Sequence, residues 1–85
     1  MLSQNHPNPF SGATTIGFTL PRPAEARIVL YDAEAHEVAT IASGSYQEGS
    51  HSIRFDPAAL PSGLYRYALL VNGVPLDSRG MSYVK

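Results

Sequence analysis

Leu64-Tyr65-Arg66-Tyr67-Ala68-Leu69-Leu70-Val71 runs into Asn72-Gly73 and leaves again at Val74, and this stretch decides the fold. An Asn-Gly pair between two apolar runs is a strong hairpin signal, because a type I′ turn needs positive φ at both central positions. Tyr65, Tyr67, Leu69 and Val71 share one face of the incoming strand. Leu64, Arg66, Ala68 and Leu70 on the other face are also largely apolar, so this strand is expected inside a sheet. The return strand is expected to finish at Met81-Ser82-Tyr83-Val84-Lys85, where the chain stops.

That hairpin contains a conflict. Counted in perfect register from the turn, Leu69 faces Leu76 and Tyr67 faces Ser78. Gly80, Ser82 and Val84 would then point inward, and the larger Met81 and Tyr83 outward. A one-residue slip exchanges the faces, and a β-bulge makes such a slip locally. Gly80 adopts bulge conformations most readily, so the bulge is expected between Asp77 and Gly80.

The rest of the chain alternates in the same way. Residues 14–20 place Ile16, Phe18 and Leu20 on one face, and Pro21-Arg22-Pro23 ends that strand. A second strand is expected over 26–31 and a third over 37–42, with residues 32–36 connecting them. The alanine content of 34–41 suits a helix, but the stretch is too short and uncapped to form one. Ser43-Gly44-Ser45 reads as a turn, Tyr46-Gln47 as a short strand, and His51, Ile53 and Phe55 as the apolar face of another. Asp56-Pro57 through Leu60-Pro61-Ser62-Gly63 is a corner rich in turn residues. About six or seven short strands at this spacing predict an all-β, Ig-like antiparallel β-sandwich. Ile16, Phe18, Ile28, Leu30, Ile53, Phe55, Tyr65, Tyr67 and Leu69 are its expected core.

Composition narrows the function. The chain has 85 residues, a formal charge of −1 and no cysteine, so it reads as one small domain without a disulfide or thiolate metal site. Its charge balance argues against a footprint for nucleic acid or anionic membrane. No apolar run approaches the roughly 18–20 residues of a membrane span. No basic region followed by an apolar stretch opens the chain, so a signal peptide is not expected within it, and Met1 reads as an initiator on a piece of a larger protein. His6, His36 and His51 share no ligand spacing. Asp32, Glu34 and Glu37 could offer oxygens to calcium, but match no EF-hand loop and read as a turn aspartate with solvated glutamates. No nucleophile elbow, acid/base pair or phosphate cradle is recognisable, so neither an enzyme nor a cofactor is expected.

The remaining motif is Asn5-His6-Pro7-Asn8-Pro9-Phe10, leading into Thr14-Thr15-Ile16-Gly17-Phe18-Thr19-Leu20-Pro21. Each X-Pro step favours an extended residue before it. Asn5 and Asn8 can bond backbone groups two residues on, and Phe10 supplies an apolar anchor. Residues 1–13 are therefore expected as a linker and stiff lead-in that docks on a sandwich formed by residues 14–85.

This opening resembles that of the type A C-terminal sorting domains of the type IX secretion system. The similarity continues through Ile28-Val29-Leu30-Tyr31-Asp32, Gly49-Ser50-His51-Ser52-Ile53-Arg54-Phe55-Asp56 and Leu60-Pro61-Ser62-Gly63-Leu64-Tyr65 to Arg79-Gly80-Met81-Ser82-Tyr83-Val84-Lys85. His6 stands where the family has Tyr, Ala35 where it has a turn glycine, and Gly80 where it has a second basic residue. The resemblance implies a sorting signal that takes a larger cargo, carried as N-terminal domains of the parent protein, through the periplasm to the outside or the cell surface. It implies an outer-membrane translocon and a sortase-like peptidase as partners. Translocon recognition is expected at Arg79, Gly80, Met81 and Lys85. Asn5, Pro7, Asn8, Pro9, Phe10, Gly63, Tyr65, Asn72 and Gly73 are expected as the structural motif. A similar opening occurs in the Ig-like domain of the flagellar hook-capping protein, so a structural Ig-like module is the alternative, with a carbohydrate-binding module behind it.

Overall fold

A computed structural model describes residues 2–57 and 59–85; Met1, and Ala58 in the corner after Asp56, lie outside the described residues. The strands are β1 Thr14–Leu20, β2 Ala24–Tyr31, β3 Glu37–Tyr46, β4 Gly49–Phe55, β5 Gly63–Val71 and β6 Val74–Tyr83. They pair antiparallel in two sheets, β1–β4 and β3–β2–β5–β6. Alternation does the rest: Ile16, Phe18 and Leu20 of β1 and Ile28 and Leu30 of β2 join Tyr67 and Leu69 of β5 in one buried cluster. This is the predicted all-β sandwich.

The hairpin forms as its sequence requires. Asn72 has φ 51° and Gly73 φ 83°, both positive, as a type I′ turn demands. Asn72 also ties the turn to β2, donating its N–H to the Glu25 carbonyl (2.8 Å) and accepting the Glu25 N–H on Oδ1 (3.2 Å). β5 lies between β2 and β6, as its two apolar faces predict. At its start, the Tyr65 hydroxyl donates back to the Pro61 carbonyl at 2.6 Å. That bond is the tyrosine corner of Ig-like sandwiches, and it gives the Pro61-Ser62-Gly63-x-Tyr65 element a mechanical role.

The expected bulge exists, but elsewhere. Leu69 pairs with Asp77 and Leu70 with Pro75, so the extra residue is Leu76; Gly80 sits in regular register opposite Arg66. Pro75 has no N–H to give the ladder, so the pairing breaks beside it. The slip carries Met81 and Tyr83 inward, where they are 3% and 4% exposed. Ser43-Gly44-Ser45 is not a turn either. β2 starts at Ala24, early enough to pair Ala26, Glu25 and Ala24 with Gly44, Ser45 and Tyr46, and β3 absorbs the expected short strand.

Ile53 and Phe55 are only half-buried, packed against the core from its margin. Both lie on β4, which has a strand neighbour on one side alone. Phe18, 1% exposed, lies at the centre instead. Phe18→Ala should therefore cost about 3–5 kcal/mol, and Phe55→Ala about 1–2 kcal/mol, in urea unfolding.

The β2–β3 turn stores strain. Asp32 Oδ1 accepts the N–H groups of Glu34 and His36, each at 2.9 Å, and Ala35 is held at φ 67°. A side chain there crowds the following carbonyl. Ala35→Gly should raise stability by about 0.5–1 kcal/mol, read as a higher urea midpoint at unchanged slope.

The His36 N–H bond, with a smaller contribution from Glu34, also holds the Asp32 carboxyl below its ordinary value of 3.8. A depressed carboxyl stabilises the fold above its unfolded value, and this contribution is lost as the pH falls through the folded one. Asn at this position keeps the acceptor without the charge. The difference in melting temperature between wild type and Asp32→Asn should accordingly shrink as the pH is lowered from 6 towards about 3.

Candidate functional site

The two regions marked by the sequence, the lead-in and the terminal strand, meet in the fold. Leu2 bridges Phe18 and His6 bridges Thr15 along the outer edge of β1; Phe10 then bridges Tyr83 in parallel on β6. The lead-in thus fills the gap between the two sheets on this side of the sandwich. Leu2, Asn5 and Phe10 are 2%, 2% and 3% exposed.

Asn5 organises the segment. Its Nδ2 donates to the Pro7 carbonyl (3.1 Å) and to Thr14 Oγ1 (3.0 Å), and Thr14 Oγ1 donates to the same Pro7 carbonyl (2.9 Å). Gln4 Nε2 donates to Asn5 Oδ1 at 2.8 Å. A buried amide with each group partnered fixes the lead-in at little net cost, whereas an orphaned one would oppose folding. Asn8 behaves differently from its expected local bond: its Oδ1 accepts the Ser82 N–H at 2.9 Å, reaching across to β6. Phe10 adds two backbone bonds, its N–H to the Ser82 carbonyl (3.0 Å) and its carbonyl from the Val84 N–H (2.9 Å). Its ring lies 5.2 Å from that of Tyr83. Pro7 and Pro9 stay exposed at the surface of this clasp.

The four residues expected at a recognition surface divide. Arg79, Gly80 and Lys85 are exposed; Met81 is buried and serves the core. Arg79 Nε donates to the Leu2 carbonyl at 3.1 Å, and its Nη2 lies 3.9 Å from Asp77 Oδ2. The Gly80 carbonyl accepts Gln4 Nε2 at 2.6 Å. The Lys85 N–H donates to Ser62 Oγ at 2.9 Å. A shallow groove on the outer face of the four-stranded sheet runs beside Gly80, Ser82, Tyr31, Leu64 and Arg66. Leu64 is 68% exposed on its rim.

Sequence reasoning missed Gln4, Ser3 and Thr14. Ser3 accepts the Tyr67 hydroxyl on its carbonyl at 2.6 Å, and burial pushes that phenol above its ordinary value. A buried tyrosine needs an acceptor, which was the available signal; nothing local pointed to Ser3. Elsewhere, Asp32 and Glu34 come together with His36 rather than with Glu37. Asp32 Oδ1 is already engaged by the turn. Among the described residues no helix is long and apolar enough to cross a membrane.

A family model described as the secretion system C-terminal sorting domain matches residues 5–73, from the buried Asn5 to the Asn72-Gly73 turn. Comparison with curated proteins and with solved structures gives no match. The matched span includes the clasp motif, the tyrosine corner and the hairpin turn. The chain belongs to the C-terminal sorting domains of the type IX secretion system.

Proposed function

We propose that this domain delivers a larger cargo protein across the outer membrane by presenting a folded recognition surface made jointly by the lead-in and the second half of β6. The family match supports the sorting role. The observation that carries the surface is the clasp: Gln4, Asn8 and Phe10 each bond a backbone group of β6 beside the exposed Arg79, Gly80 and Lys85. The cargo occupies the N-terminal side of the parent protein and passes through the periplasm. The outer-membrane translocon engages this surface, and a sortase-like peptidase then acts on the delivered protein, leaving it secreted or attached at the cell surface.

A recognition surface must be rigid to be selective, since ordering a loose strand at the moment of binding costs affinity. The clasp supplies that rigidity from side chains and backbone outside β6. Arg79 and Lys85 are the cationic groups on this surface, and rim charges of this kind govern encounter more than fold. Met81 acts from beneath, by packing.

Deleting residues 81–85 is a poor test, because it removes the buried Met81 and Tyr83. The informative variant is Arg79→Glu with Lys85→Glu, in a reporter that carries a secretory signal ahead of this domain, in a bacterium that has the secretion system. Export should fall at least about tenfold, while the melting temperature of the purified domain moves by less than about 5 °C. Parental export by the double variant would remove the two cations from the surface. Failure of the unmodified fusion to leave the cell would remove the delivery role itself.

A further inference from the structure

The strand edges of this sandwich are treated unequally. On β6, the Gly80 carbonyl and the N–H and carbonyl of Ser82 are taken by Gln4, Asn8 and Phe10, and the Ser78 N–H is capped by Asp77 Oδ1 at 2.9 Å. On β3, register shifts leave Val38 and Ile41 as extra residues, so two bulges roughen that edge. The outer edge of β1 is covered by the lead-in. β4 has none of these devices. It carries no proline or bulge, and its one residue of fixed charge is Arg54 near its end, whereas prolines, bulges and charges are the usual means by which an exposed edge is protected.

Its free groups can be identified. Thr15 exchanges both backbone bonds with His6, and the Gly17 carbonyl accepts the Ser3 N–H at 2.8 Å, so these two residues face the lead-in. They pair with Arg54 and Ser52. In an antiparallel ladder the bonded and non-bonded pairs alternate, so the backbones of Ser50, Ser52 and Arg54 face outward from β4. Among the described residues they have no strand partner. Beneath them, Ile53 and Phe55 are only half-buried.

We propose that two copies of this domain associate through their β4 edges, antiparallel, about a two-fold axis at Ser52. This register uses every free group: Ser52 pairs with Ser52 of the second copy, and Ser50 pairs with Arg54 in both directions. Shifting the axis by one residue either way leaves one outward residue of each strand unpaired. The side chains agree with it. Arg54 meets a serine, so no like charges lie opposite. On the inner face, Phe55 falls opposite Gly49, which leaves room for its ring, and Ile53 falls opposite His51. The joint turns two two-stranded sheets into one four-stranded sheet and covers the core margin. Closed two-fold pairing of one surface with itself is the commonest oligomer geometry. Its small area makes it a concentration-dependent association, in the micromolar to millimolar range.

The absence of cysteine makes the test clean. Directly opposed residues in a hydrogen-bonded pair lie about 5.5 Å apart at Cα, within disulfide reach. Ser52→Cys should give a disulfide-linked dimer under mild oxidation, while Ser78→Cys, exposed on β6 of the other sheet, should not. In sedimentation equilibrium up to about 1 mM, the wild-type chain should dimerise. Ser52→Pro should remain monomeric with an unchanged circular dichroism spectrum, since its lost N–H faces outward and edge strands accept proline. A wild-type chain that stays monomeric throughout would overturn the proposal. So would a folded Ser52→Pro variant that dimerises equally well, or equal crosslinking of the two cysteine variants.

Discussion

The buried amide of Asn5 is the constraint on which the rest depends. An 85-residue sandwich without disulfides has little core to spare, and one side of this one would gape between β1 and β6. The lead-in fills that gap, but a segment containing two prolines cannot pair along its length as an ordinary strand. Asn5 resolves the difficulty by supplying from a side chain the bonds that the backbone lacks, holding the Pro7 carbonyl and Thr14 together. With that point fixed, Leu2 reaches the core on one side and Phe10 reaches Tyr83 on the other.

β6 depends on the same closure. Its bulge at Leu76 turns Met81 and Tyr83 inward, but an edge strand turned this way still exposes backbone groups on its outer side. Gln4, Asn8 and Phe10 satisfy the Gly80 carbonyl and the N–H and carbonyl of Ser82. Around Ser82 the strand therefore presents side chains rather than open backbone.

Much of this was legible in the sequence because local rules decided it. Alternation placed Ile16, Phe18, Ile28, Leu30, Tyr67 and Leu69 in the core, and the Asn72-Gly73 pair set the hairpin. Two of the failures originate in non-local pairing. Nothing near Ser43-Gly44-Ser45 reveals that β2 begins early enough to extend β3. Ile53 and Phe55 alternate as core residues do, yet their burial depends on whether a strand lies beyond β4, which alternation does not encode. The need for a slip in β6 was visible from Met81 and Tyr83, whereas its site followed from the missing N–H of Pro75 rather than from the freedom of Gly80. For the site, the motif named Asn5 and Phe10; their partners Thr14, Ser82 and Val84 came only with the fold.

The parallel course of the lead-in and β6 has a mechanical consequence. Leu2 lies beside Arg79, and Phe10 beside Tyr83 and Val84, so the two segments run side by side in the same direction. A pull on the chain ahead of Leu2, resisted at Val84, acts on opposite ends of this pair. The connecting bonds then carry the load together, in shear, instead of opening one after another as in unzipping. A domain towing a folded passenger by its leading end would yield late under such tension, and the strand it presents would keep its shape for as long as the clasp held.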